Sequence, residues 1–389
     1  MANQNLSNAK KAKNDEFYTQ WVDIEKEMNA YLEYNPDVFR NKTILLPCDD
    51  PEWSNFTKYF AQNFMNFGLK KLISTSYAQD SKLIKTPIQL SLFEMESPKF
   101  DETKSHANGK IFTLERKDVT GDGKIDIEDL EFEYLTGDGD FRTDEVCKLR
   151  DEADIVITNP PFSLFREFLA WVMEADKKFC VIGNQNAITY KEIFPYILNN
   201  KIWLGTSMNG SNRWFGVSDE YEFSSNAKHR IVNGQHQIFV NSVVWFTNLE
   251  HGRRHELLSL MSMEDNLKFS KIKFVRENGY PQYDNYEAIE VPNYKAIPND
   301  YEGIMGVPIT FLHHYNPEQF EIVGSDAYNA TPPTKIYKRK EKVVDGKRSK
   351  SKTGTMGCVI RKEEFGSGTY FDVGYPVQAV YKRIFIRRK

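Results

Sequence analysis

DIVITNPPFSLF, residues 154–165, sets three β-branched apolar residues in a row, Ile155, Val156 and Ile157, and halts them with Asn159-Pro160-Pro161-Phe162. A short apolar run closed by turn residues reads as a strand buried on both faces. Beyond it, Ser163 to Ala175 carries helical spacing and KFCVIGN (178–184) reads as the next strand. The same cycle lies upstream. In NKTILLPCDD (41–50) an apolar run stops at Pro47-Cys48-Asp49-Asp50. Ser54 then stands where an N-cap belongs, ahead of Phe56, Tyr59, Phe60 and Phe64 at helical spacing, and KKLISTSY (70–77) follows as a strand. NSVVWFTNL (241–249) supplies another buried strand. Strands alternating with helices predict an α/β fold built on a parallel sheet covered on both faces, and in such sheets ligands sit outside the carboxyl ends of the strands. Pro47 to Asp50 and Asn159 to Phe162 are therefore the groups to inspect.

Asn159 precedes a proline, which pushes it into an extended conformation, and neither Pro160 nor Pro161 has a backbone N–H. The carbonyls of Asn159 and Pro160 are thereby held without local donors. The Asn159 side-chain oxygen and a proline carbonyl facing one pocket can accept both hydrogens of a planar NH2, while Phe162 offers a face for a planar ring. The group reads as a receptor for an aromatic amine. The exocyclic nitrogen of adenine is a poor nucleophile because its lone pair is delocalised into the ring, and hydrogen bonds to both its protons favour a tetrahedral nitrogen with a localised pair. With a sulfonium methyl donor in line, positioning and polarisation suffice; neither a metal nor a covalent nucleophile is needed. Stacking contributes about 1–3 kcal/mol per base, which helps offset the few kcal/mol needed to turn a base out of a duplex. The bland alternative, a simple strand terminator, is disfavoured by the placement after a buried strand.

A chain of 389 residues is too long for one small core and implies two domains, or one with a large appendage. The first 16 residues are polar and no apolar run approaches the roughly 20 residues that span a bilayer, so a soluble, cytoplasmic protein without a membrane partner is expected. Cys48, Cys147, Cys180 and Cys358 show no C-x-x-C spacing and read as reduced thiols rather than zinc ligands. The net charge of −4 conceals a segregation, because residues 331–389 hold 16 Lys and Arg against 5 Asp and Glu, or +11, leaving −15 for the rest. A basic terminal segment on an acidic body suits a polyanion partner. KRKEKVVDGKRSKSKTG (338–354) alone could be a solvated tail, but YPVQAVYKRIFIRRK (375–389) reads as a terminal strand that must pack. The basic run is accordingly expected as a loop between ordered strands.

These residues carry a resemblance. DIVITNPPFSLF resembles motif IV of amino methyltransferases, and NDEFYTQ (14–20) resembles the F-Y-T motif X that DNA adenine methylases place upstream of the first strand. CDDPEWSNFTKYFAQNF (48–64), GDGDFRTDE (137–145), ITYKEIF (188–194), KIWLG (201–205) and MGVPITFLHHYNPEQFE (305–321) extend the similarity to the EcoRI-type adenine-specific modification methylases, from about Asn14 to Phe320 and more loosely to the end. The resemblance implies a Rossmann-like S-adenosylmethionine-dependent methyltransferase sheet with a C-terminal DNA target-recognition region, and methylation of adenine N6 within a short duplex DNA sequence. It implies that Asn159, Pro160, Pro161 and Phe162 hold the flipped adenine, and that Phe17, Tyr18 and Thr19 touch the methionine end of S-adenosylmethionine, with Pro47, Cys48 and Asp49 or Asp50 beside it. Asp140, with Asp138 as the competing assignment, would accept from the cofactor's adenine amino group next to Phe141. A cognate restriction endonuclease would be the natural companion of such an enzyme. Two departures stand out: LLPCDDPEWSNF has no glycine where the family of folds usually carries a glycine-rich turn, and LISTSYAQD offers only Tyr77 and Asp80 where an acid commonly grips the ribose.

The catalytic part is assigned to residues 1–265 and target recognition to 266–389, with Arg213 and Trp214 of the GTSMNGSNRWFG loop and Lys338, Arg339, Lys347 and Arg348 of the basic run as DNA contacts, the cations mostly to phosphates. DVTGDGKIDIED (118–129) has the spacing of a calcium loop, but GKIFTLERK before it reads as a strand and a hairpin turn is expected. His251 and His255 lack a third ligand, so no metal site is expected. A methyltransferase acting on RNA or a protein glutamine amide, and a nucleic-acid-binding module with a dead core, are the alternatives. The basic segment favours nucleic acid, and intact N-P-P-F and F-Y-T groups argue against a dead core.

Overall fold

The computed structural model describes residues 17–51, 54–78, 97–217, 221, 223, 225–327, 330–350, 357–361, 368–380 and 382–389. The chain forms two compact units, Met1–Gln185 with Trp203–Gly252, and Asn186–Ile202 with Arg253–Lys389.

The first unit is built on one ten-stranded mixed sheet. Its centre is β1 (Thr43–Leu46), β2 (Lys71–Ser76), β5 (Ile155–Thr158) and β6 (Lys178–Asn184), paired in parallel in the order β2-β1-β5-β6. All four residues of β1 and of β5 are buried, as expected of strands covered on both faces, with Ile44 opposite Ile155 and Leu45 opposite Val156. The sheet is not parallel throughout. β3 (Lys110–Glu115) and β4 (Glu131–Tyr134) extend the β2 edge antiparallel, and β10 (Gln235–Thr247) runs antiparallel to β6. β7 (Trp203–Leu204), β8 (Ser211–Gly216) and β9 (His229–Val232) all pair with β10 in the same sense. A long apolar run fixes that a strand is buried but says nothing of its direction.

Helix α1 (Trp21–Tyr34) buries Ile24, Glu27, Met28 and Tyr31, a single face at helical spacing. The α2 helix (Asn55–Gln62) starts where Ser54 accepts from Phe56 N at 3.1 Å and buries Phe56, Tyr59 and Phe60. α3 (Asp144–Glu152) is capped by Thr143, and α4 (Phe165–Glu174) buries Phe165, Phe168, Leu169, Trp171 and Val172. Each such large side chain contributes about 1.5–3 kcal/mol by leaving water. Between β3 and β4 the acidic loop closes on itself: Asp118 accepts from Gly121 N and Gly123 N, and Asp129 from Val119 N, Thr120 N and Asp126 N. Among the described residues no group of three His, Cys, Asp or Glu able to hold a metal occurs.

The second unit contains two sheets. β11 (Ile289–Glu290), β12 (Met305–Pro308), β13 (Phe320–Ser325) and β19 (Arg383–Arg388) form one, with Arg383 paired to the buried Glu290 at 2.6 Å. β14 (Glu341–Val344), β15 (Lys347–Lys350), β16 (Val359–Arg361), β17 (Thr369–Asp372) and β18 (Pro376–Ala379) form the other. Residues 341–350 of the basic run are therefore a β-hairpin rather than a loop: Asp345 and Gly346 both take positive φ, 47° and 78°, the turn that a D-G pair favours between twisted strands. Among the described residues no helix is long and apolar enough to cross a membrane.

Candidate active site

β1 and β5 are neighbours from which the strand order runs outward in opposite directions, so their carboxyl ends open a crevice. After β1, Cys48 adopts φ 68°, the left-handed conformation that glycine takes without penalty. The turn usually made by glycine is thus made here by a cysteine. Asp49 behind it is buried and fully engaged. Its N–H donates to Thr75 O at 2.7 Å, its carbonyl accepts from Thr57 Oγ1 at 2.9 Å and from Ser74 Oγ, and its carboxylate accepts from Ser54 Oγ at 2.6 Å. The other carboxylate oxygen lies 2.6 Å from Thr158 Oγ1, which also stands 2.7 Å from Pro47 O. One hydroxyl therefore ties the ends of the two strands together.

Asn159 follows directly. Its Nδ2 donates to Phe17 O at 2.6 Å, while its Oδ1 is buried and has no hydrogen-bond partner. A buried orphan acceptor costs about 1–3 kcal/mol and calls for an explanation. Phe17 is brought there by backbone pairing: Tyr18 N donates to Gly216 O and Gly216 N to Tyr18 O, both at 2.8 Å, docking the F-Y-T segment on β8. Thr19 is buried, its carbonyl accepting from Asn55 Nδ2 at 2.7 Å and its Oγ1 without a partner. Phe162 lies 5.8 Å from Phe17 and 6.4 Å from Phe215, centroid to centroid, and Phe17 lies 6.2 Å from Tyr221. An aromatic wall thus stands beside the orphan oxygen.

At the end of β2, Ala78 N donates to Asp138 O at 2.7 Å. Gly139 permits this approach, with φ 81° and Ser76 O only 2.5 Å from where a Cβ would stand. Asp140 accepts from Arg142 N, Nε and Nη2 at 2.9, 2.8 and 2.6 Å; burial pushes its carboxyl up, but the Arg142 bonds outweigh it and hold the group below its ordinary value. Burial, with Asp138 and Asp140 next to it, raises the Tyr77 hydroxyl well above its ordinary value. Phe141 is buried against Phe168 and Trp171, 5.2 and 5.6 Å away. Asp80 lies outside the described residues.

Residues 5–389 match the family described as adenine-specific methyltransferase EcoRI. The chain belongs to the EcoRI adenine-specific methyltransferase family. It is 42% identical over 321 residues to the Type II methyltransferase M.EcoRI of Escherichia coli, covering 82% of this chain and 89% of that protein. To the Type II methyltransferase M.MgeORF184P of Mycoplasma genitalium it is 34% identical over 320 residues, 82% and 85% of the two chains. To M.MpnI of Mycoplasma pneumoniae it is 33% identical over 320 residues, 82% and 84%. No solved structure matches it.

In this DNA adenine methyltransferase the groups expected at the cofactor and base sites separate into two sets. Asn159, Phe162, Phe17, Tyr18, Thr19 and the 47–50 turn meet at the β1–β5 crevice, whereas Asp138, Asp140 and Phe141 gather at the end of β2 with Tyr77. Of the expected DNA contacts, Arg213 reaches Ser207 O at 3.0 Å and Asp23 at 3.5 Å, and Trp214 packs on Phe239 under the Arg230 guanidinium, 4.2 Å away. In the second unit Lys338 and Arg339 are exposed, as is Lys347 on β15, while Arg348 bridges Glu341 and Asp372 at 2.8 and 2.6 Å. Thr158, Phe215 and Tyr221 stand against the groups of the β1–β5 crevice and escaped the sequence reading. A hydroxyl-bearing residue ending an otherwise apolar buried strand was the available signal for Thr158.

Proposed function

We propose that this DNA adenine methyltransferase transfers a methyl group from S-adenosylmethionine to N6 of an adenine turned out of a short, specific duplex sequence. The observation that carries the reading is the Asn159 Oδ1, buried and unpartnered beside an aromatic wall. It suits one hydrogen of an exocyclic NH2; the Pro160 carbonyl would take the second, and Phe162 would face the ring. Acceptors on both amine hydrogens localise the nitrogen lone pair, and the aromatic wall keeps the base in place while water is excluded. S-adenosylmethionine, when bound, supplies an electrophilic methyl on sulfur. Phe17, Tyr18, Thr19 and the Pro47–Asp50 turn would hold its methionine end, and Asp138 or Asp140 with Phe141 its adenine. The orphaned Thr19 hydroxyl and the left-handed Cys48 turn fit such a group. A strand order that diverges from β1 and β5 is what a Rossmann-like methyltransferase sheet requires.

Target reading is assigned to residues 266–389, whose Lys338, Arg339, Lys347 and Arg348 would contact phosphates, with Arg213 and Trp214 contributing from the catalytic part, residues 1–265. The enzyme would act in the cytoplasm on the nucleoid, as the modification partner of a cognate restriction endonuclease or as an orphan methylase. Incubation with labelled S-adenosylmethionine and either duplex DNA, RNA or protein tests the substrate class: label should enter DNA alone. Asn159→Ala should keep cofactor binding while turnover falls by about 100- to 1,000-fold, the scale of losing one preorganised polar contact to the reacting group. Equal loss of binding and turnover would instead make Asn159 structural.

A further inference from the structure

The outer half of β10 forms a three-stranded arm with β8 and β9, of which the reaction as proposed uses β8 but not the β9–β10 hairpin. A bulge between Val240 and Val243, with Ser242 at φ 58°, separates this arm from the part of β10 that lies against β6. β9 and β10 are joined by Asn233-Gly234, both at positive φ, a tight and well-defined turn. Side chains on one face of the arm are fixed by the register. Phe215, Ile238 and His229 stand in one cross-strand row, and the next row on that face, two residues toward the turn, is His236 with Ile231. Phe215 is the wall residue that packs on Phe162 and Phe17. Ile231 therefore lies on the active-site face, about 7 Å along the strand from the Phe215 row.

Burial separates these neighbours. Phe215 and Ile238 are 1% and 4% exposed and Phe223 stacks on His229 at 4.3 Å, yet Ile231 is 60% exposed and every residue of β9 faces solvent. A large aliphatic side chain left in water at the edge of an active site is a contact waiting for a partner. Charge identifies that partner. Residues 224–247 contain no Asp or Glu, whereas the chain before residue 331 sums to −15. Lys228 and Arg230 sit in that acid-free stretch, and the register puts them on the reverse face of the arm from Ile231, over Phe239 and Trp214. A hairpin with an exposed apolar side chain on one face and cations on the other can turn the first toward bases and the second toward phosphates.

We propose that the β9–β10 hairpin is a DNA contact of this enzyme, with Ile231 entering the duplex beside the target adenine and Lys228 and Arg230 facing phosphates. The proposal rests on the base-extrusion reading above: Ile231 packs against the bases that flank the vacated position and so stabilises the opened duplex. The test uses duplexes carrying the methylated sequence, identified by methylome sequencing of a host expressing the full chain. They are compared fully matched and with an abasic site opposite the target adenine, which removes the pairing the wedge helps to break. Since a wedge offsets an unstacking cost of a few kcal/mol, Ile231→Ser should slow single-turnover methylation of the matched duplex by about 10- to 100-fold. On the abasic duplex it should approach the wild-type rate. 2-Aminopurine at the target position should brighten with wild-type enzyme and much less with the variant.

Wild-type and variant rates that agree on the matched duplex would overturn the proposal, as would a loss that the abasic duplex does not relieve. A change in oligomeric state on Ile231→Ser with unchanged rate per site would give the surface to a second copy instead. If the wild-type enzyme itself neither brightens 2-aminopurine nor gains from the abasic duplex, base extrusion fails and the hairpin role with it. Ile231 is exposed, so the substitution leaves the fold intact, and an unchanged melting temperature checks this.

Discussion

Replacing Thr158 by valine should cost both stability and turnover, because its hydroxyl is the bond between the two strand ends that frame the site. Thr158 is fully buried, with Oγ1 2.6 Å from Asp49 Oδ2 and 2.7 Å from Pro47 O. Valine keeps the volume, so no cavity forms and only the polar part of the change counts. Asp49 is buried too, and its second oxygen already uses Ser54. The lost bond is one to a carboxylate, worth about 1.5–3 kcal/mol. For a unit of roughly 150–250 residues, with 2–4 °C per kcal/mol, the melting temperature should fall by about 3–12 °C. The next residue is Asn159, and a displacement of about 1 Å in a positioned group can cost on the order of 100-fold in rate. Thr158→Ser retains the hydroxyl and should keep most of the turnover. Thermal melts and single-turnover methyl transfer on the three proteins decide the matter. Combining Thr158→Val with Asp49→Asn should be non-additive by about 0.5–3 kcal/mol, since both remove one interaction. Valine behaving as wild type in both assays, or serine failing as badly as valine, would refute the link between the strands.

Two further outcomes follow from other residues. Cys48→Gly should fold with equal or slightly raised stability and Cys48→Val should lose about 2 kcal/mol, because a β-branched residue is poorly tolerated at φ 68°; thermal melts of both variants check it. In the second unit, burial alone would raise the Asp284 carboxyl, but bonds from Tyr337, Tyr375, Arg361 and Lys335 outweigh it and hold the group far below its ordinary value. A carboxyl depressed in the folded state stabilises above its unfolded value of about 4, and that stability drains away as pH falls below it. Asp284→Asn should therefore flatten the acid limb of stability between roughly pH 4 and pH 2, as measured by melts across pH, and parallel curves would remove Asp284 from that role.

The centre of the fold was legible because β1 and β5 are buried on both faces and so read as unbroken apolar runs. Their directions could be inferred only from the helices between them, and where the chain turned back through hairpins, as at β3–β4 and β9–β10, the expectation of a parallel sheet failed. The basic hairpin was hidden by its charge: Lys347 to Lys350 look like solvated loop, yet the Asp345-Gly346 turn and Val343, 2% exposed, carry the strand signal. Of the candidate site, Asn159 and Phe162 could be singled out in the sequence because they flank two prolines after a buried strand. Thr158, Phe215 and Tyr221 could not, since their roles come from neighbours far away in sequence. Cys48 gave no warning either, because nothing in a cysteine announces a left-handed backbone.

The amide at position 159 follows from its neighbour as much as from its substrate. Phe17 O lies 2.6 Å from Nδ2, so it accepts from the amide nitrogen and thereby turns Oδ1 inward. A carboxylate in that place would set a negative oxygen against the Phe17 carbonyl and would have to rotate away or take up a proton there, and either costs free energy that the amide does not. The orphan oxygen persists because the F-Y-T segment, paired with Gly216 through Tyr18, holds the amide against its own desolvation cost. Acceptor orientation is therefore a property of the docked segment rather than of the Asn-Pro-Pro-Phe turn alone. Any change that lifts Tyr18 from β8 should reduce turnover by freeing the Asn159 amide, in addition to loosening the methyl donor that the segment would help hold.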